Sequence, residues 1–150
     1  MNIDLSKKIH KYIISKSNKI KINSNYIKKN DIFIALQGSK THGNKFIYDA
    51  LKAGAKYCIT DKKNNQIKFK DNILIVDDIY DYLKKISIKK RSLFSGEVIG
   101  ITGSAGKTSL KELLKFNLEK KFKVSASIKS YNNYLGVILS ILNMKTSDDF

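Results

Sequence analysis

The chain predicts an α/β fold: a small α/β unit over residues 1–92, followed by the beginning of a second α/β unit over 97–150. Three observations carry this reading. Short apolar runs of strand length alternate with stretches whose apolar residues recur every three or four positions. A glycine-rich turn at 102–106 stands between an apolar run and an amphipathic stretch. A basic run, Lys89-Lys90-Arg91-Ser92, reads as a solvated linker between the units.

Leu5, Ile9 and Ile13 recur every four residues and predict a short amphipathic helix. A brief strand is expected at Ile20 to Ile22. Asp31 to Leu36 is a compact apolar run, the pattern of a strand buried on both faces. Gly38 to Asn44 is polar and predicts a loop. Phe46, Ile47, Ala50, Leu51 and Ala53 fall at helical spacing, with Gly54 as the C-terminal cap. Tyr57 to Thr60 and Ile73 to Val76 predict two more strands around the polar segment Asp61 to Asn72. Ile79 to Ile86 predicts a helix capped by Asp77 or Asp78.

In the second unit, Val98 to Ile101 predicts a strand leading into the glycine turn. Leu110, Leu113, Leu114 and Leu118 mark one face of a helix. Phe122, Val124 and Ala126 alternate as a strand does. Ser127 to Asn133 predicts a loop, and Leu135 to Leu142 a buried helix.

The bulk numbers exclude several classes. Of the chain's 150 residues, 42% are hydrophobic, a globular composition. The net charge of +16 and the pI near 9.8 would suit a polyanionic partner. However, Arg91 is the only arginine among 29 basic residues, and bidentate recognition of bases and phosphates favours Arg. Abundant Lys, Ile and Asn with no Pro or Trp is the bias of an AT-rich coding genome. A nucleic-acid partner is therefore not expected. The lone Cys58 can form no internal disulfide and predicts a buried thiol. No apolar run approaches the ~18 residues of a membrane span, and no secretory signal is present. A cytoplasmic monomer is expected.

The turn Thr102-Gly103-Ser104-Ala105-Gly106-Lys107-Thr108-Ser109 carries the chemistry. A strand, a glycine turn and a helix in that order aim backbone N–H groups at phosphate oxygens. Gly103 and Gly106 admit backbone angles and a close approach that a Cβ would block. Lys107 is the candidate bridge of the β- and γ-phosphates of ATP, and the Thr108 hydroxyl the candidate ligand of Mg²⁺. The common pattern places a glycine five residues before Gly106, where this chain has Ile101. That spacing disfavours an ordinary P-loop kinase or GTPase.

The shortened loop resembles that of the Mur ligases and their folylpolyglutamate synthase relatives, and the resemblance covers nearly the whole chain. Asp31 to Gly38, His42-Gly43-Asn44-Lys45-Phe46-Ile47 and Ala50 to Ala55 resemble the N-terminal domain of that family. Ser104-Ala105, Lys111-Glu112 and Asn132-Asn133-Tyr134-Leu135-Gly136-Val137 resemble most its D-alanyl-D-alanine-adding branch. The tripeptide-synthetase branch usually carries Thr-Asn in the loop and a Thr-rich later segment.

The resemblance implies a reaction. ATP phosphorylates the C-terminal carboxylate of a UDP-MurNAc-peptide, and the amine of D-Ala-D-Ala attacks the acyl phosphate, leaving an amide, ADP and phosphate. It implies that residues 103–109, Asn132 and Asn133 serve ATP, and that Ser24, Gln37, Gly38, His42, Gly43 and Asn44 serve the uridine end. Two positions depart from the family. Its Asp-Ser-Arg is Asn23-Ser24-Asn25 here, which loses the Arg charge, and its Asp-Gly-His is His42-Gly43-Asn44. His42 and Asn44 are both expected to donate hydrogen bonds to the uridine diphosphate. The resemblance also implies that a Glu holding Mg²⁺, a modified Lys, a His ligand and a C-terminal domain lie beyond Phe150. The chain is accordingly expected to be the N-terminal portion of a ligase or a truncated product, inactive alone. The rival readings are a tripeptide-synthetase-type ligase of the same family, another nucleotide-binding P-loop protein, a basic nucleic-acid-binding module and a remnant that only binds UDP-sugar.

Overall fold

The computed structural model describes residues 2–17, 19–62, 70–127 and 133–150. Helix α1 (Ile3–Ser15) starts where the Asn2 side chain accepts the Leu5 N–H at 3.1 Å. Strands β1 (Ile20–Lys21), β2 (Ile32–Ala35), β3 (Tyr57–Thr60) and β4 (Ile73–Ile75) form one parallel sheet in the order β1-β2-β3-β4. Short helix α2 (Ile47–Lys52) links β2 to β3, and α3 (Ile79–Ser92) follows β4. Helices α4 (Lys107–Leu118) and α5 (Tyr134–Asn143) come from the second unit.

The core follows from the pleat. Successive strand residues face opposite sides of the sheet. Ile32, Ile34 and Ile59 pack on one side with Ile9, Ile13, Leu83 and Ile86 of α1 and α3. Phe33, Ala35 and Cys58 pack on the other with Ile47 and Ala50 of α2. All four residues of β2 are buried, as its unbroken apolar run predicts. Burial without a partner pushes the Cys58 thiol up to about 12, so the buried-thiol reading holds. The Asp78 carboxylate caps α3 by accepting the Asp81 N–H at 2.8 Å. Gly54, with φ 102, turns the chain away from α2.

Three expectations are corrected. Residues Lys89 to Ser92 are not a linker but the last turn of α3. Lys90 is fully buried there, and its ammonium donates to the carbonyls of Ile13 (2.9 Å), Lys16 (3.0 Å) and Leu142 (2.7 Å). These acceptors sit at the C-terminal ends of α1 and α5, where unpaired carbonyls gather partial negative charge. One residue of a charge run can thus lie buried when helix ends surround it, while Lys89, Arg91 and Ser92 stay exposed, a circumstance local sequence does not reveal.

Val98 to Ile101 and Phe122 to Ala126 form no regular strand. Backbone bonds at Glu97, Lys123 and Ser125 reach the last residues instead. The Glu97 N–H donates to Asp149 (2.8 Å), the Asp149 N–H to Lys123 (2.8 Å) and the Ser125 N–H to Phe150 (2.8 Å). Gly96 is held so close that a Cβ would stand 2.5 Å from the Asp149 carbonyl oxygen. A strand exists only through its ladder. Val98 and Ile99 remain 60% and 49% exposed, so the apolar pattern here has few neighbours to pair with among the described residues.

α4 forms as the spacing predicts, but none of its residues is buried. α5 does bury its face, placing Ile138, Leu139 and Leu142 in the core of the first unit. Asn143 extends the sheet edge: its side-chain oxygen accepts the Ile20 N–H at 2.9 Å and its amide donates to the Ile20 carbonyl at 3.2 Å. An amide side chain thereby occupies the open edge of β1 as a neighbouring strand would.

Candidate functional site

Two regions contain the candidate residues. The first is the turn before α4. Gly103 has φ 147 and Gly106 φ 76, backbone angles that L side chains rarely adopt. Gly106 is the residue preceding α4, and no side chain caps that helix start. Its first-turn N–H groups therefore face outward along the axis, where an anion satisfies them. The Lys107 ammonium folds back onto the Gly103 carbonyl and lies 3.3 Å from that of Ser104. Ser104, Ala105, Thr108 and Ser109 are exposed around it.

The turn opens into a groove of about 990 Å³, whose other walls include Val98, Ile99, Ser125, Ser127 and, from α5, Val137 and Ser140. Lys111 ties α4 to that wall: its ammonium donates to the Ser127 carbonyl at 2.7 Å and pairs with Glu112 at 2.9 Å. That bond holds the Glu112 carboxyl below its usual range. Asn133 caps α5, accepting the Gly136 N–H at 2.7 Å. Asn132 lies outside the described residues.

The groove fits a nucleoside triphosphate by its uncapped helix start, two glycines of positive φ and one ammonium at the turn. No group of three His, Cys, Asp or Glu side chains able to hold a metal occurs among the described residues. Mg²⁺ reluctantly sheds water and usually binds through substrate phosphates and few protein oxygens; Thr108, in the first turn of α4, is a candidate oxygen for it.

The second region is the carboxyl edge of the sheet. Because all four strands are parallel, the segments after β1, β2 and β3 emerge on the same edge, where α/β sheets bind ligands. Ser24 lies in the turn Ser24–Tyr26 after β1. The Gln37 amide donates to the Gly38 carbonyl at 2.8 Å, and Gln37 bridges His42. The Gly38 N–H donates to Thr41 at 3.0 Å and the Gly43 N–H to Leu36 at 2.8 Å, closing the loop on itself.

His42 is buried. Its Nδ1 accepts the Asn44 N–H at 3.0 Å, and its Nε2 lies 2.8 Å from Asp61 Oδ1. Both ring nitrogens are thus engaged within the protein, and the expected donation by His42 to a ligand is replaced by internal bonds. Sequence reasoning did not single out Asp61. The only local signal was its place immediately after the apolar run of β3.

Gly43 is needed for closeness, not for its dihedral angles. A Cβ there would meet Ala35 Cα at 2.9 Å and the Ala35 carbonyl carbon at 3.0 Å. Gly43→Ala is expected to lower stability by about 1–3 kcal/mol, the usual cost of overpacking against fixed backbone. A urea unfolding midpoint unchanged from the parent chain would contradict this.

A parallel α/β unit followed by a glycine turn at a helix start defines a class of α/β proteins with a candidate anion loop. Comparison narrows it. Residues 16–115 match the model of the Mur ligase family, catalytic domain, and 101–149 that of the Mur ligase middle domain. The chain belongs to the Mur ligase family.

It is similar to the UDP-N-acetylmuramoyl-tripeptide--D-alanyl-D-alanine ligase of Rickettsia prowazekii (strain Madrid E), with 40% identity over 89% of this chain and 29% of that protein. It is also 36% identical, over 78% of its length and 25% of the relative's, to the UDP-N-acetylmuramoyl-L-alanyl-D-glutamate--2,6-diaminopimelate ligase of Clostridium tetani (strain Massachusetts / E88). The crystal structure of MurF ligase from Thermotoga maritima in complex with ADP superposes with a TM-score of 0.70 at 33% identity, covering 91% of this chain and 31% of that one. The chain thus spans less than a third of the length of these relatives. No helix among the described residues is long and apolar enough to cross a membrane.

Proposed function

We propose that this chain supplies the uridine-nucleotide-binding unit (1–92) and the first part of the ATP-binding unit (97–150) of an ATP-dependent ligase that adds D-alanyl-D-alanine to UDP-MurNAc-tripeptide in peptidoglycan precursor synthesis. The observation that carries it is the uncapped start of α4 behind Gly103 and Gly106, with Lys107 at hand. The similarity to D-alanyl-D-alanine ligases along nearly the whole chain supports the substrate.

In this reading the loop N–H groups and Lys107 bind the phosphates of ATP, and Thr108 holds Mg²⁺. Asn132 and Asn133 are assigned to ATP on the family resemblance alone. When bound, ATP supplies the phosphoryl group that activates the peptide carboxylate, and the metal neutralises charge on the phosphates. Ser24, Gln37, Gly38, Gly43 and Asn44 receive the uridine diphosphate, with His42 shaping that loop from behind. The protein works as a cytoplasmic monomer.

The second reading, a ligase adding diaminopimelate, draws on the 36% identity to such an enzyme. Calorimetric titration separates the two. Stronger binding of UDP-MurNAc-tripeptide than of UDP-MurNAc-dipeptide, beside binding of ATP–Mg²⁺, is expected. Preference for the dipeptide would favour the second reading, and ATP binding without either UDP compound would overturn the assignment of residues 1–92.

A further inference from the structure

The loop after β2 and the end of β3 are joined by one side-chain pair, His42 and Asp61, with Nε2 and Oδ1 2.8 Å apart. The hydrogen-bond partners settle the tautomer. A backbone N–H can only donate, so His42 Nδ1, 3.0 Å from the Asn44 nitrogen, is the acceptor. A carboxylate can only accept, so Nε2 carries the proton. The ring is buried, 8% exposed, while Asp61, directly after β3, is 30% exposed. The same ring begins the turn Gly43–Phe46, which leads straight into α2. Asp61 therefore holds the ring, the ring holds the Asn44 amide, and that amide orients the segment that carries Gly43 and Asn44.

We propose that Asp61 is a positioning residue for the uridine diphosphate site, acting through the Nε2–H tautomer of His42. This rests on the functional reading of the first unit. The chemistry asked of Asp61 is narrow: an oxygen acceptor at the end of β3, not a charge and not a ligand contact. An imidazole released from it would be free to place its proton on Nδ1, and an Nδ1–H would face the Asn44 N–H with no acceptor between them. The loop would then lose the bond that starts its turn.

Asp61→Ala and Asp61→Asn separate this from the alternatives. The asparagine keeps an oxygen acceptor without the charge. Two measurements are made on the 150-residue chain: the ring ¹⁵N shifts of His42, and calorimetric binding of UDP-MurNAc-tripeptide. The parent and Asp61→Asn are expected to show the Nε2–H pattern and to bind within about twofold of one another. Asp61→Ala is expected to show mixed tautomers and binding weaker by about tenfold, the scale of one lost hydrogen bond.

Equal weakening in both variants would overturn the proposal in favour of direct charge recognition. Mixed tautomers with unchanged binding would overturn the link between ring and ligand. If the parent chain binds no UDP compound, the functional reading fails. The ring ¹⁵N shifts then still decide whether Asp61 sets the His42 tautomer.

Discussion

Replacing Lys107 with alanine is expected to weaken ATP–Mg²⁺ binding by on the order of a hundredfold, the loss of two charge-assisted hydrogen bonds to phosphate. The argument starts from what surrounds the ammonium. It lies on the Gly103 and Ser104 carbonyls of the glycine turn and, among the described residues, pairs with no carboxylate. Carbonyl oxygens are weaker partners for an ammonium than phosphate oxygens, so an arriving triphosphate draws the side chain outward. Alanine removes the ammonium and leaves the N–H groups of the helix start, so residual binding is expected. Helix α4 should persist, because alanine is the best helix former at any of its positions. Arginine is not an equivalent replacement, since its planar fork differs in shape from the point charge that the tight turn accommodates. Calorimetry on the Lys107→Ala chain, with circular dichroism as the folding control, makes the test. An affinity within about threefold of the parent would remove Lys107 from the proposed site.

Lys90→Met is expected to destabilise the fold by about 2 kcal/mol at pH 7, because the Ile13, Lys16 and Leu142 carbonyls lose their shared donor. Methionine matches the length and fills the space, so the loss reports the polar contacts more than a cavity. The pH dependence carries the sharper signature. Burial pushes the Lys90 ammonium down from 10.5 to about 8. Between those values the unfolded chain keeps the proton that the folded chain has released. Stability attributable to Lys90 therefore rises with pH across that window and is flat below it. The gap between parent and Lys90→Met should widen by up to about 3 kcal/mol from pH 8 to 10.5. The other lysines titrate in both proteins and cancel in the difference. Urea unfolding at pH 7 and pH 10 reads both effects. A variant as stable as the parent at pH 7 would show that Lys90 does not clasp the helix ends, and a gap that stays constant would show that burial does not push its ammonium down.

Legibility from the sequence differed between the two units. β2 was readable because a parallel strand covered on both faces needs an unbroken apolar run, and Ile32 to Ala35 is one. α1 was readable because Leu5, Ile9 and Ile13 fall on one face. Beyond Gly96 the helices were equally readable, but the strand reasoning overreached. Val98 to Ile101 has strand chemistry, yet pairing depends on neighbours that local pattern cannot supply. The glycine turn was legible for the opposite reason: its chemistry is carried by contiguous residues, and Gly103 and Gly106 adopt the angles only glycine takes readily. Asp61 was missed because its role depends on a ring nineteen residues away.

The sequence by itself determined the α/β class, the strand and helix positions of the first unit, the glycine turn and the family resemblance. All of these are encoded by neighbours within about one helix or strand length, where spacing sets the face and residue type sets the dihedral angles. Tertiary structure alone decided that Lys90 is buried, that Asn143 completes the edge of β1, that α5 packs on the first unit, and that His42 turns inward to Asp61. Each joins segments far apart in the chain. The burial of a charge or the choice of a tautomer is set by atoms brought together only when the sheet and helices have closed around them.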